Sequence, residues 1–212
     1  MISKKIILQG LQFDDKSSFM RGAAEAPPAI RAILNNGAGN FFTESGINLE
    51  EHPFEDKGDF SITNYLDIVE ITRNNLEADV PLITLGGDHS ITYPVVKAVA
   101  SRHSAIDILH FDAHADIYDE FEGDKYSHAC PFARILEEKL TENITQVGIR
   151  TLNTHQKEQA IKFKVDIREM RNLKTDDLRT FKNPLYISLD MDVFDPAFAP
   201  GVSHHEPGGL SS

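Results

Sequence analysis

Three short polar blocks combine residue types that ligate metal with a position just after an apolar run. They are Gly86-Gly87-Asp88-His89-Ser90, Asp112-Ala113-His114-Ala115-Asp116 and Ser188-Leu189-Asp190-Met191-Asp192. In extended backbone, residues two apart point to one side, so Asp112, His114 and Asp116 converge, as do Asp190 and Asp192. The paired glycines before Asp88 permit a tight turn that projects His89 over the same rim. Four carboxylates and two imidazoles then meet. An oxygen-rich set of this kind suits two Mn2+ ions better than a single zinc ion, which more often takes thiolates and histidines in a tetrahedral site. Four aspartates neutralise two divalent cations, and a water-derived nucleophile between them leaves one negative charge facing a cationic substrate. Such ions lower the pKa of water, so the predicted chemistry is metal-assisted hydrolysis. An isolated histidine or aspartate is usually packed or solvated. It is the recurrence of ligand types at three strand ends that argues for a site.

The elements that must carry these blocks alternate along the chain. Ile6 to Leu11 reads as a strand, and the apolar-periodic stretch after Pro27-Pro28 reads as a helix. Tyr65 to Leu76 is a second helical pattern, followed by Pro81 to Leu85 as a buried strand. Ile91 to Ala100, Phe132 to Leu140 and His155 to Phe163 read as helices. Ile106 to Phe111, Ile144 to Ile149 and Leu185 to Leu189 read as strands. This alternation predicts an α/β domain over residues 1–212: three-layer α/β/α, with a mainly parallel sheet covered by helices on both faces. Ligands of such sheets bind at the carboxyl ends of strands, where the three blocks lie.

Composition narrows the partners. A formal net charge of −12 without a basic run argues against nucleic acid, and no segment is apolar over the length that spans a bilayer. Cys130 is the only cysteine, which excludes an intramolecular disulfide. A cytoplasmic setting is expected, and Cys130 itself is assigned no chemistry.

These blocks, followed by Asp195-Pro196 and Pro200-Gly201, resemble the signature blocks of the arginase and agmatinase ureohydrolases. The resemblance runs from Ser17-Ser18, Arg21-Gly22 and Pro27 to Gly208-Gly209-Leu210. It implies an arginase-like fold and two Mn2+ ions bridged by Asp112 and Asp190. His89 and Asp116 would complete one ion's shell, His114 and Asp192 the other's. It also implies that Asp116 relays a proton to the leaving nitrogen and that His128 shuttles protons or contacts substrate. Family members commonly form homo-oligomers, trimers or hexamers.

The implied substrate is a small cationic guanidino compound. The block Tyr126 to Phe132 is similar to the agmatinase loop, which puts agmatine first. Ser203-His204-His205-Glu206 is similar to plant-type arginases, which keeps arginine as the alternative, with guanidinobutyrate and formiminoglutamate behind. A catalytically silent subunit or binding protein is the reading from another class. Glu206 is a candidate for the pocket rim, and the acidic run Asp119 to Asp124 reads as a solvated loop. The family pattern continues after Ser212 with a helix, a strand and a Glu that anchors the guanidinium. The expectation is therefore the front part of a longer protein, inactive alone and lacking strands in the middle of its sheet.

Overall fold

The computed structural model describes residues 5–52, 54–174 and 180–212. Its elements run β1 (Ile6–Gln12), α1 (Ala26–Leu34), β2 (Phe54–Ser61), α2 (Asp67–Asn75), β3 (Leu82–Leu85), α3 (Thr92–Ala100), β4 (Asp107–Phe111), α4 (Pro131–Glu137), β5 (Asn143–Ile149), α5 (Thr154–Phe163), β6 (Asp166–Glu169) and β7 (Leu185–Leu189). All strand pairs are parallel, in the orders β2-β1-β3 and β6-β5-β4-β7. The α/β reading holds, with two sheets in place of one.

Strand alternation explains the layers. On one face of β1, Leu11 and then Phe13 pack against Ile68 of α2 and Val95 of α3. Gln9, on the same face, accepts a hydrogen bond from Asn75 at 2.8 Å, so its buried amide has a partner. The opposite face carries Gly10, where a Cβ would lie 2.9 Å from Pro27 of α1. That glycine lets α1 approach the strand from the other side. Under β4 and β5, Ile108, Ile144 and Ile149 join Val96 of α3, Phe132 and Ile135 of α4 and Ala160 of α5. Each fully buried isoleucine contributes roughly 1.5–3 kcal/mol.

Two strands were not legible from apolar runs. The first, β2, has charged residues at four of its eight positions, and β6 reads Asp166-Ile167-Arg168-Glu169. Both are outermost strands, where charged side chains face water and discourage further pairing. Arg31 of α1 grips Asp56 of β2 with two bonds of 2.8 Å, tying the charged strand to its helix. Helix α4 stops at Glu137, short of the expected Leu140, because Lys139 takes a left-handed conformation with φ 54°. Among the described residues no helix is long and apolar enough to cross a membrane.

An opening lined by Leu82, Val95, Ile106, Pro184 and Tyr186 separates β3 from β7. Each of these two strands pairs on one flank only. The expectation of a buried β3 is thereby corrected, since Ile83 is 40% exposed without a second neighbour to cover it. On β7, Tyr186 and Ser188 face the core, while Leu185, Ile187 and Leu189 point to the uncovered face.

The turn after β3 depends on close backbone contact. The Asp88 amide donates to the Phe13 carbonyl at 2.9 Å, and a Cβ on Gly87 would fall 1.7 Å from that same oxygen. Gly87→Ala is therefore expected to cost about 2 kcal/mol or more by forcing the two segments apart. Gly201→Ala, with no atom near its Cβ, should stay within about 0.5 kcal/mol. Urea denaturation of both variants checks this, and equal stability would show that the contact is dispensable.

Candidate metal centre

The first ligand block leaves β3 through a capped turn. Asp88 accepts the Ser90 amide at 2.9 Å and the Lys16 amide at 3.0 Å, pinning both the turn and the N-terminal loop. His89 then reaches across the rim, and its Nε2 bonds Ser188 Oγ of β7 at 2.9 Å. With Nε2 so engaged, Nδ1 faces Asp112, Asp116 and Asp190 oxygens at 3.0, 3.1 and 3.3 Å. Asp116 attains this position from a left-handed backbone with φ 50°, which aspartate tolerates better than most residues.

The second imidazole is arranged likewise. His114 Nδ1 lies 2.9 Å from Asp192 and 3.5 Å from Asp112. Backbone amides hold the carboxylates: His114 N donates to Asp112, Ala113 N to Asp192 and Asp192 N to Asp190, at 2.6, 3.1 and 3.0 Å. All six expected ligands thus converge. Asp112 divides its oxygens, Oδ2 toward His89 and Oδ1 toward His114. Ligand atoms of Asp112, His114 and Asp192, and separately of His89, His110 and Asp112, lie within 4.8 Å of one another. His89 Nδ1 is buried against three carboxylate oxygens within 3.3 Å, an arrangement that needs a proton or a cation between nitrogen and oxygens. The residues present fit a divalent metal.

Electrostatics point the same way. Burial alone would push His89 down, but hydrogen bonds to Asp112, Asp116 and Asp190 raise it well above the usual imidazole range. Burial likewise opposes the charged form of His114, yet Asp112 and Asp192 raise it to about 11. Burial would raise Asp112, and the imidazoles of His110, His114 and His89 hold it well below the carboxylate range. Asp192 is pushed up to about 7, first by burial and then by the charges of Asp112 and Asp190, against the bond from His114. Without metal, protons balance the carboxylates.

The remaining candidates lie around this cluster. His128 Nε2 bonds Ser18 Oγ at 2.7 Å, and its ring stacks on His204 at 5.8 Å. Glu206 comes from a loop, not a strand end, and still brings Oε1 within 3.5 Å of His114 Nε2. His205 turns to the Pro200 carbonyl. Asp195 accepts the Ala197 and Gly208 amides at 2.9 and 2.7 Å, the turn role its place before Pro196 suggests. Of the acidic loop, Asp124 pairs with Lys16 at 2.7 Å and Asp119 with His155 at 3.0 Å. Cys130 is buried and its thiol is raised by burial to about 12, so it is inert as expected.

Sequence reasoning missed three residues. His110 and Gln146 are polar side chains inside apolar strands, both fully buried, a signal visible in Ile108-Leu109-His110-Phe111. Arg150 gives no such signal. Its guanidinium donates to the carbonyls of Asp192 and Glu206 at 2.6 and 2.7 Å, and its amide donates to Ala113 at 2.9 Å.

A parallel α/β sheet with histidine and aspartate ligands at the carboxyl ends of its strands defines a metal-site α/β protein. Residues 4–212 match the arginase family. Arginase 1, mitochondrial, of Arabidopsis thaliana is 45% identical over 96% of this chain and 66% of that relative. N(1)-aminopropylagmatine ureohydrolase of Thermus thermophilus is 34% identical over 98% and 74%. The solved arginase of Medicago truncatula superposes with a TM-score of 0.87 at 40% identity, over 97% of this chain and 71% of that one. The chain belongs to the arginase family, and it spans 66% of the length of the Arabidopsis relative.

Proton balance gives a test. A histidine raised from 6.5 to about 11 keeps its proton at neutral pH. Its pairing stabilises the metal-free fold fully below about pH 6.5, and that contribution is lost as pH rises through about 11. A cation at His114 must displace this proton. Mn2+ titrated into metal-free protein at pH 7 is expected to release protons, with apparent affinity rising up to about tenfold per pH unit for each proton displaced. Calorimetry in buffers of low and high ionisation enthalpy should give different heats. Identical heats would refute the proton count.

Proposed function

We propose that this centre binds two Mn2+ ions and hydrolyses a small guanidino compound to urea and an amine. The observation that carries the reading is Asp112, whose two oxygens each face a different imidazole, as a carboxylate shared by two ions must. Asp112 and Asp190 are read as the shared ligands, His89 and Asp116 as completing one shell, and His114 and Asp192 the other. When bound, the ions supply acidification of water and neutralisation of the aspartates.

The chain's own residues do the rest. Glu206 lines the rim of the mouth beside His114, where its carboxylate attracts the cationic substrate. Asp116 takes the proton from the attacking water on a carboxylate oxygen and gives it to the leaving nitrogen. The C–N bond then breaks, the proton left on the former water oxygen passes to the departing amine, and urea leaves neutral while the amine leaves as a cation. His128 Nε2, held by Ser18 Oγ, exchanges protons with solvent or contacts substrate.

Arginine becomes the leading substrate, because identity to the Arabidopsis arginase exceeds that to the Thermus ureohydrolase, 45% against 34%. Agmatine is the second reading, favoured by the block Tyr126 to Phe132. The cytoplasmic setting is proposed from sequence alone, and the Arabidopsis relative is named as mitochondrial. A homo-oligomer is proposed from the family resemblance.

The test is urea release by the Mn2+-loaded chain with arginine, agmatine and guanidinobutyrate. Against the sequence expectation of a chain inactive alone, this reading expects release from arginine first, abolished by chelation. Full Mn2+ occupancy with no urea from any of the three would replace it with a chain inactive alone or with a silent subunit or binding protein. Asp112→Asn should lose metal and activity together. His128→Asn should retain metal while turnover falls about 10²- to 10⁴-fold. Full metal occupancy in the Asp112 variant would refute the shared-ligand role.

A further inference from the structure

The metal-ligand row is supported from below by a second row of polar side chains. In the sheet register His110 of β4 lies beside Gln146 of β5 on one flank and Ser188 of β7 on the other. Ser188 engages His89. His110 Nε2 engages Asp112 Oδ2 at 2.8 Å, and Gln146 Nε2 lies 3.0 Å from His110 Nδ1.

The direction of these bonds follows from a fixed point. Gln146 Nε2 lies 2.6 Å from the Ala115 carbonyl, an oxygen that only accepts, so that atom must be the amide nitrogen. Its other hydrogen faces His110 Nδ1, which must therefore accept. The ring's hydrogen is left on Nε2, aimed at Asp112. The opposite flip would set two oxygens 2.6 Å apart, and the observed one is kept although Gln146 Oε1 has no partner. His110 itself is 0% exposed and packs on Phe132 with ring centroids 4.0 Å apart, so it has no freedom to turn.

Proximity alone would admit His110 as a ligand, since a ring nitrogen lies within 4.8 Å of a His89 nitrogen and an Asp112 carboxylate oxygen. Both nitrogens are already engaged, which excludes it. We propose that His110 and Gln146 are positioning residues: the Ala115 carbonyl orients the Gln146 amide, the amide fixes the His110 tautomer, and the imidazole N–H orients the Asp112 carboxylate between two cations. The inference rests on the metal-centre reading above. It adds that a second row of the sheet sets the centre's affinity.

The test compares Mn2+ affinity, read from the paramagnetic resonance of free Mn2+, in the wild-type chain and in His110→Phe, His110→Gln and Gln146→Leu. Phenylalanine keeps the ring and loses the donor, whereas glutamine returns an N–H near the Nε2 position. Affinity is expected to fall about ten- to hundred-fold in His110→Phe and Gln146→Leu and to recover to within about threefold in His110→Gln. Wild-type affinity in His110→Phe would overturn the proposal, as would a loss in His110→Gln equal to that in His110→Phe. If His110→Phe does not fold, nitrogen spectra of the metal-free wild type decide: hydrogen on Nε2 of His110 supports the proposal, and hydrogen on Nδ1 overturns it. A wild-type chain that fails to take up Mn2+ sinks the metal-centre reading and this inference together. Intact wild-type binding with unaffected variants sinks this inference alone.

Discussion

A carboxylate with 1% of its side chain exposed must have both oxygens satisfied from within, and Asp112 satisfies them from opposite sides. One oxygen takes the His114 amide and faces that residue's ring, and the other meets His89 and His110. Those contacts require β3, β4 and the turn after β7 to end at one level. The parallel register brings β4, β5 and β7 to that level, with Phe111 beside Val147 and Leu189 at the last paired position, and the His89–Ser188 bond ties the turn after β3, in the other sheet, to it. The rest of the centre is assembled around that shared level.

Concentrating aspartates at one rim opposes folding unless something balances them. Without cations the balance is made by protons, on His114 and His89 and on Asp192. Backbone amides supply the remainder: His114, Ala113 and Asp192 each donate one to an aspartate two residues away or across the rim. Dipoles of this kind are fixed by the fold and need no reorganisation when the charge they face changes. The site is preorganised for anionic oxygens, and those oxygens in turn for cations.

Much of this was legible in the residues, for identifiable reasons. Strands β1, β4, β5 and β7 were legible as apolar runs, and Asp112 and His114, two apart, do meet at the rim as the chain leaves β4 into a loop. Asp116 departs from extended geometry and still reaches His89, so convergence there owes more to φ 50° than to alternation. Strands β2 and β6 were hidden because edge strands carry charge where inner strands carry apolar side chains. His110 and Gln146 were hidden because a strand pattern reads buried polar residues as breaks in apolarity, and their partners lie on other strands.

Arg150 carries a consequence for how changes in this rim combine. Its guanidinium makes hydrogen bonds, among the described residues, only to backbone carbonyls: that of Gly148 in β5, and those of the turn with Asp192 and the loop with Glu206. Five N–H donors in a rigid fork make the two segments one mechanical body. Thermodynamic coupling between positions that share such a partner reaches 0.5–3 kcal/mol in typical proteins. Mutational effects at Asp192 and Glu206 are therefore not independent coordinates of a fitness landscape. A route from one substrate preference to another through this loop has to pass through the clamp that both segments share.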